Sequence, residues 1–140
     1  MYVDMHEWSL ALSLVQTLDR WALERGVQIK RVVLSVPSPA QLDVFILTEA
    51  FDTLKKESRL EQAKLEVRVR SPRYRCRACG YEFGQEEVDQ QIRQLTGQYG
   101  EEYPLHLIPE LLPTFVKCPR CGSHDIEAEL SIKVDEVETA

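Results

Sequence analysis

The chain lacks most of what marks a membrane, secreted or nucleic-acid-binding protein. Among its 140 residues no apolar run approaches the ~20 needed to cross a bilayer. The opening, MYVDMHEWSL, has neither the basic n-region nor the apolar h-region of a secretory leader. Lys and Arg number 17 against 23 Asp and Glu, a net charge of -6, so the general positive field that draws proteins to nucleic acid or anionic membranes is missing. Histidine is scarce, with three in all, and cysteine is confined to four positions in the second half. A leaderless chain is expected in the reducing cytoplasm, where paired CxxC cysteines serve as metal ligands or catalytic thiols rather than disulfides.

What is present is unevenly spread. Residues 1–72 carry ten basic and ten acidic residues, whereas residues 73–140 carry seven against thirteen, which accounts for the whole net charge. All four cysteines, four of the seven prolines and five of the six glycines follow Ser71-Pro72. That break divides the chain into two modules.

In the first module Ala11, Leu14, Val15, Leu18, Trp21 and Ala22 recur at three- and four-residue spacing, which predicts an amphipathic helix over about 7–25 closed by Gly26, with Asp4 as a candidate N-cap. The β-branched run from Val27 to Val36 reads as a strand ending at Pro37. Ser38-Pro39-Ala40-Gln41 has the form of a capping box, so a second helix is expected from there to about Glu57, with Leu42, Phe45, Ile46, Phe51 and Leu54 as its buried stripe. Leu65, Val67 and Val69 alternate with charged residues, a strand with one wet face. Strand, helix and strand form a βαβ unit, whose two strands are expected to be parallel neighbours. Two strands bury too little, and the alternation from Ile126 to Val134 offers a third that returns to them. The expected fold is α+β: two helices and a three-stranded mixed sheet from residues 1–72, completed by a returning strand at about 125–135. Into it is inserted a four-cysteine zinc-ribbon module, residues 73–124, with an insert at 84–114.

The strongest chemical signal is a matched pair of knuckles. Cys76-Arg77-Ala78-Cys79-Gly80 and Cys118-Pro119-Arg120-Cys121-Gly122 are both CxxCG. Two thiolates three residues apart in a tight turn bind one ion, and the following glycine permits the positive φ that turns backbone N–H groups toward sulfur. Four thiolates in a tetrahedral array select zinc, with iron as the competitor. Arg73, Arg75, Arg77 and Arg120 surround the knuckles, either as a phosphate-contacting patch or as solvated charge offsetting the anionic site; the acidity of this half favours the second. His6 lies beside an acid at the entrance of the first helix, His106 sits in a proline-bracketed apolar stretch, and His124 occupies the turn after the second knuckle.

Met5-His6-Glu7 opening an amphipathic helix, a βαβ module, and CxxCG and CPxCGSHD knuckles together resemble the HypA family of hydrogenase-maturation nickel metallochaperones, from Met5 to about Val134. The insert segment His106-Leu107-Ile108-Pro109-Glu110 looks like the archaeal branch. The resemblance implies a labile Ni²⁺ site in the first module, structural zinc on Cys76, Cys79, Cys118 and Cys121, and no bond-making chemistry. It makes His6 the principal nickel ligand, with Met5 contributing its amine, Glu7 in a supporting or partner-recognition role and His106 a further donor. It implies as partners a nucleotide-hydrolysing accessory protein like HypB and the hydrogenase large subunit, with neither nucleic acid nor membrane among them, for a monomer or weak homodimer. The resemblance leaves the client enzyme open between a hydrogenase and a urease. Nickel(II) favours a square plane of nitrogen donors, which an amine, a deprotonated amide and an imidazole from contiguous residues supply. Family members begin at the methionine of Met-His-Glu, whereas Met1-Tyr2-Val3-Asp4 precede it here; either translation starts at Met5 or the amine donor is removed. Two other readings stay open: a zinc-ribbon module that binds nucleic acid or protein, and a rubredoxin-like iron electron carrier.

Overall fold

The computed structural model describes residues 3–99 and 112–140. They fold as α+β in two compact units. The first takes the chain up to Val36, Leu42–Arg68 and Ile132–Ala140, and the second takes Pro37–Gln41 and the described part of Val69–Ser131.

The first unit opens with helix α1, Val3–Arg25. Of the expected stripe, Ala11, Leu14, Val15, Leu18 and Ala22 are buried and Trp21 is half-buried. The helix starts earlier than the spacing predicts, so Asp4 lies inside its first turn rather than at the cap. At the other end Gly26 takes φ 65°, its N–H bonds the Leu23 carbonyl, and the Val27 N–H reaches back to Ala22 at 3.0 Å. This pair of bonds satisfies two of the carbonyls a helix end leaves open, and only glycine adopts that φ cheaply.

Strand β1, Ile29–Pro37, is the central strand of a three-stranded sheet between β2, Lys64–Arg70, and the C-terminal β6, Lys133–Thr139. β6 runs antiparallel to β1, from Ile29 opposite Thr139 to Ser35 opposite Lys133. The alternation read as one strand is therefore two. Ile126–Ala128 forms β5 in the second unit, and the return begins only at Lys133. The Arg70 guanidinium donates to the carbonyls of Glu129 and Ser131, and the Glu129 carboxylate takes the Ser131 N–H, so this stretch spends its hydrogen bonds outside either ladder.

Helix α2 spans Val44–Leu54, not the predicted stretch from Ser38. Ser38–Ala40 makes only a 3-10 turn, stopped by Gln41 in the left-handed region at φ 53°. Asp43 is the cap instead, its Oδ1 accepting the Ile46 N–H at 3.1 Å. Moving the start moves the stripe: Leu47, Ala50 and Phe51 are buried against α1, while Phe45 is 74% exposed rather than in the core.

In the second unit β3, Tyr74–Cys76, lies between β4, Glu82–Phe83, and β5, Ile126–Ala128, with both pairings antiparallel. Helix α3, Gln85–Tyr99, lies within the predicted insert and places Val88 and Ile92, one helical turn apart, in a core with Tyr74, Phe83, Val116 and Ile126. Burying two such side chains contributes roughly 1.5–3 kcal/mol each. A short helix α4, Leu112–Phe115, precedes the second knuckle. The Gln91 amide pairs with both backbone groups of Lys117, at 2.9 Å each, tying α3 to the chain entering that knuckle.

Candidate metal centre

Both knuckles fold alike because they have the same local chemistry. The Gly80 N–H bonds the Cys76 carbonyl at 2.8 Å and the Gly122 N–H bonds that of Cys118 at 2.9 Å, with φ of 81° and 78° at the two glycines. Each knuckle's first cysteine is fixed by its own amide, Cys76 to the Tyr81 carbonyl and Cys118 to that of Ser123. In both, the first cysteine is buried and the second exposed.

The turns bring all four sulfurs within 4.8 Å of one another. Across the knuckles, Cys76 Sγ lies 3.5 Å from Cys121 Sγ and Cys79 Sγ lies 3.7 Å from Cys118 Sγ. A tetrahedral zinc ion with Zn–S bonds of ~2.3 Å requires sulfurs ~3.8 Å apart, so the array fits zinc with little adjustment. Backbone amides already face the sulfurs: the N–H groups of Arg120 and Cys121 point at Cys118 Sγ from 3.3 and 3.4 Å.

This environment divides the thiols. Burial works against the Cys76 thiolate, but the Cys79 N–H, the Cys121 thiol and the Ala78 N–H outweigh it and draw the thiol down to about 7. Cys118 moves the same way, with burial opposed chiefly by the N–H groups of Cys121 and Arg120. The Ser123 N–H favours a thiolate at Cys121, yet its hydrogen bond with Cys76 and burial push this thiol up to about 12. The protein alone thus does not favour four anions together; a divalent cation does, and its binding releases protons.

Three of the four arginines around the site, Arg73, Arg75 and Arg77, face carboxylates. Arg75 and Arg77 both hold Glu127, at 2.7 and 3.2 Å; Arg77 also reaches Asp125 at 3.4 Å, and Arg73 approaches Glu82 at 3.9 Å. A phosphate would have to displace these partners, which argues against the nucleic-acid reading. His124 Nδ1 lies 3.1 Å from the Val116 carbonyl, a structural contact within the second unit.

The other predicted ligands lie elsewhere. His6 and Glu7 are in the early turns of α1, in the first unit. His6 is half-buried. Glu7 is 1% exposed; its Oε2 accepts the Asp43 N–H at 2.8 Å, and its Oε1 is buried with no hydrogen-bond partner. Met5 belongs to α1 by its backbone, and His106 lies outside the described residues. Sequence reasoning missed Asp43, whose only local signal is an aspartate just ahead of a helical apolar run.

Comparison with known proteins gives one consistent result. The profile of the family described as "Hydrogenase/urease nickel incorporation, metallochaperone, hypA" matches residues 5–139. Proteins named hydrogenase maturation factor HypA are similar over 88% of this chain and 86% of their own length. Those from Thermococcus sibiricus, Pyrococcus horikoshii and Thermococcus kodakarensis are 31%, 32% and 34% identical. The solution structure of the Ni metallochaperone HypA from Helicobacter pylori superimposes with a TM-score of 0.60 at 18% identity, covering 95% of this chain and 96% of that one. A second HypA solution structure gives 0.63 at 19%, covering 97% of each chain.

Proposed function

Since the chain belongs to the HypA family of nickel-incorporation metallochaperones, we propose that it carries Ni²⁺ on the N-terminal end of α1 while a zinc ion on Cys76, Cys79, Cys118 and Cys121 holds the second unit together. Zinc would supply a structural cross-link there; backbone N–H groups in the two knuckles favour the thiolate forms of the buried ligands Cys76 and Cys118.

His6 is the anchor of the proposed nickel site, joined by the amine of Met5 when the chain begins there and by the intervening His6 amide. His106 is the fourth donor. Glu7 is a supporting residue rather than a surface one, because its carboxylate is buried against the Asp43 amide and braces the turn that carries His6. That buried brace beside His6 is the observation that carries the reading. The ligands are nitrogen bases that release nickel when protonated, which suits transport over storage. The cation is cargo, and no bond-making step is assigned to the chain. The partners that fit this role are a nucleotide-hydrolysing accessory protein of the HypB kind and the hydrogenase large subunit, in the cytoplasm.

The test is calorimetric titration of zinc-loaded protein with nickel. One Ni²⁺ is expected per chain, with the zinc content unchanged, and His6→Ala is expected to abolish binding. Equal nickel affinity in the wild type and His6→Ala would remove the proposed site.

A further inference from the structure

The sulfur geometry reaches beyond zinc holding. The two short sulfur–sulfur contacts, Cys76 to Cys121 and Cys79 to Cys118, both run across the knuckles, and each joins one buried sulfur to one exposed sulfur. The chain contains only these four cysteines. We propose that the centre is a peroxide-responsive switch in which oxidation joins Cys76 to Cys121 and Cys79 to Cys118, so that the ribbon exchanges its metal cross-link for a covalent one and stays folded.

Exposure decides which sulfur reacts first. A hydroperoxide reaches Cys121 or Cys79, whereas Cys76 and Cys118 are 0% and 1% exposed and shielded from it. The Cys121 sulfur, which bound zinc would keep deprotonated, attacks one peroxide oxygen, the O–O bond breaks, hydroxide leaves with the electron pair, and Cys121 becomes a sulfenic acid. The Cys76 thiolate then attacks that sulfur, the S–O bond breaks, and a second hydroxide leaves. In sum, two thiolates, one hydrogen peroxide and two protons give one disulfide and two waters. The sulfur pair loses two electrons and the peroxide gains them. A second peroxide closes Cys79 to Cys118 in the same way.

Geometry favours pairing across the knuckles over pairing within them. From 3.5 and 3.7 Å, the sulfurs need close by only roughly 1.5 Å to reach the bond length of a disulfide. Within a knuckle, the Gly80 and Gly122 N–H bonds to the first cysteine's carbonyl fix the turn that presents both sulfurs to a shared centre. Disulfide sulfur is no longer an anionic donor, so closing both bonds removes the basis for zinc binding. Each new bond spans the same two chain segments the ion had joined, which is why the fold survives.

The experiment treats zinc-loaded full-length protein with two equivalents of hydrogen peroxide under nitrogen. It follows released zinc with a chromogenic chelator, ellipticity in the far ultraviolet, and disulfide connectivity by tryptic mass mapping without reductant. Trypsin cleaves after Arg75, Arg77, Lys117 and Arg120, which puts every cysteine on its own peptide. The expected result is one zinc released per chain, ellipticity within a tenth of its starting value, and peptide 76–77 linked to 121–133 with 78–93 linked to 118–120. Thiol reductant and added zinc should restore the starting state. Links between 76–77 and 78–93, unpaired sulfinic or sulfonic cysteines, retained zinc, or loss of ellipticity would each overturn the proposal. None of these outcomes bears on nickel binding at His6, so the two readings stand or fall separately.

Discussion

The carboxylate of Glu7 accepts the backbone N–H of Asp43 at 2.8 Å, joining the first turns of α1 to the cap of α2 across 36 residues of sequence. Asp43 in turn caps α2 through Ile46. The two acids therefore do different work and should fail differently. Glu7→Ala removes a buried side chain and leaves the Asp43 N–H without its acceptor, and is expected to cost about 1–3 kcal/mol. Glu7→Gln, which keeps an acceptor oxygen, should cost less. Asp43→Ala removes only the cap and should cost about 1 kcal/mol. Urea unfolding followed by far-ultraviolet ellipticity measures all three, and an equal loss in Glu7→Gln and Glu7→Ala would show that the oxygen at this position is not what matters.

The knuckles were legible because everything that makes them lies within five consecutive residues: two thiolates, a tight turn and a glycine that supplies positive φ. The helix stripe of α1 was legible for a similar reason, since it repeats over six positions. What was not legible depended on partners distant in the chain. The alternation of residues 126–134 looks continuous, but it is interrupted where Arg70 takes the carbonyls of Glu129 and Ser131, and nothing near those residues announces Arg70. Ser38-Pro39 satisfied a capping pattern, yet Gln41 at φ 53° stopped the helix and Asp43 restarted it, which turned Phe45 outward. The significance of His6 came from resemblance alone, because a single histidine beside an acid has no distinctive spacing.

Removing zinc should unfold one unit and spare the other. The cysteines Cys76 and Cys118 belong to the second unit's own core, alongside Tyr74, Phe83 and Val116. Metal binding in small cysteine sites is worth on the order of 10 kcal/mol, comparable to the whole stability of a domain. Cys118→Ser is expected to abolish zinc binding and protection of the α3 amides from hydrogen exchange, while amides of α1 and α2 stay protected. Zinc retained at one per chain in this variant would contradict the four-thiolate site.

The C-terminal strand can be separated from the metal site by truncation. Ending the chain at Ser131 keeps β5 paired with β3 and removes β6, leaving the first unit's sheet with two strands. Two strands rarely stand alone. The truncated chain should keep its zinc but lose most of the stability of α1 and α2, seen as an early, broad melting transition. An unchanged melting temperature would mean that β6 is dispensable to this unit.

Acid should act on the first unit's sheet through Glu66. The Arg31 hydrogen bond first, and then that of Arg68, hold the Glu66 carboxyl below its ordinary value of 4.5. A carboxyl depressed by folding contributes stability that is complete above its unfolded value and is lost as pH falls through the lower folded one. Both partners are partly exposed, so the effect is small and weakened by salt. Melting curves of wild type and Glu66→Gln should differ near neutral pH and converge below the carboxylate range. A difference that persists undiminished at acid pH would assign the stabilisation to something other than the charge.

Nickel binding should depend on which residue begins the chain. An amine, the adjacent deprotonated amide and the following imidazole close fused chelate rings, so a chain starting at Met5 presents three nitrogen donors from two contiguous residues. In the chain as it stands, Met5 is in peptide linkage to Asp4, and α1 begins at Val3. The amine is gone, which leaves the His6 amide and imidazole as the donors of this pair. The Met5-initiated form should therefore bind nickel more tightly than the full chain. His106→Ala should weaken binding less than His6→Ala, because the His6 imidazole closes a chelate ring with its own amide, whereas His106, 100 residues away in sequence, joins through no such ring. Affinity should rise with pH in every form that binds, since each nitrogen must lose a proton first. Titrations of both forms at pH 6.5 and 8, with His6→Ala and His106→Ala in each background, separate the donors. Equal affinity with and without the four leading residues would take the amine out of the ligand set and leave His6 in it.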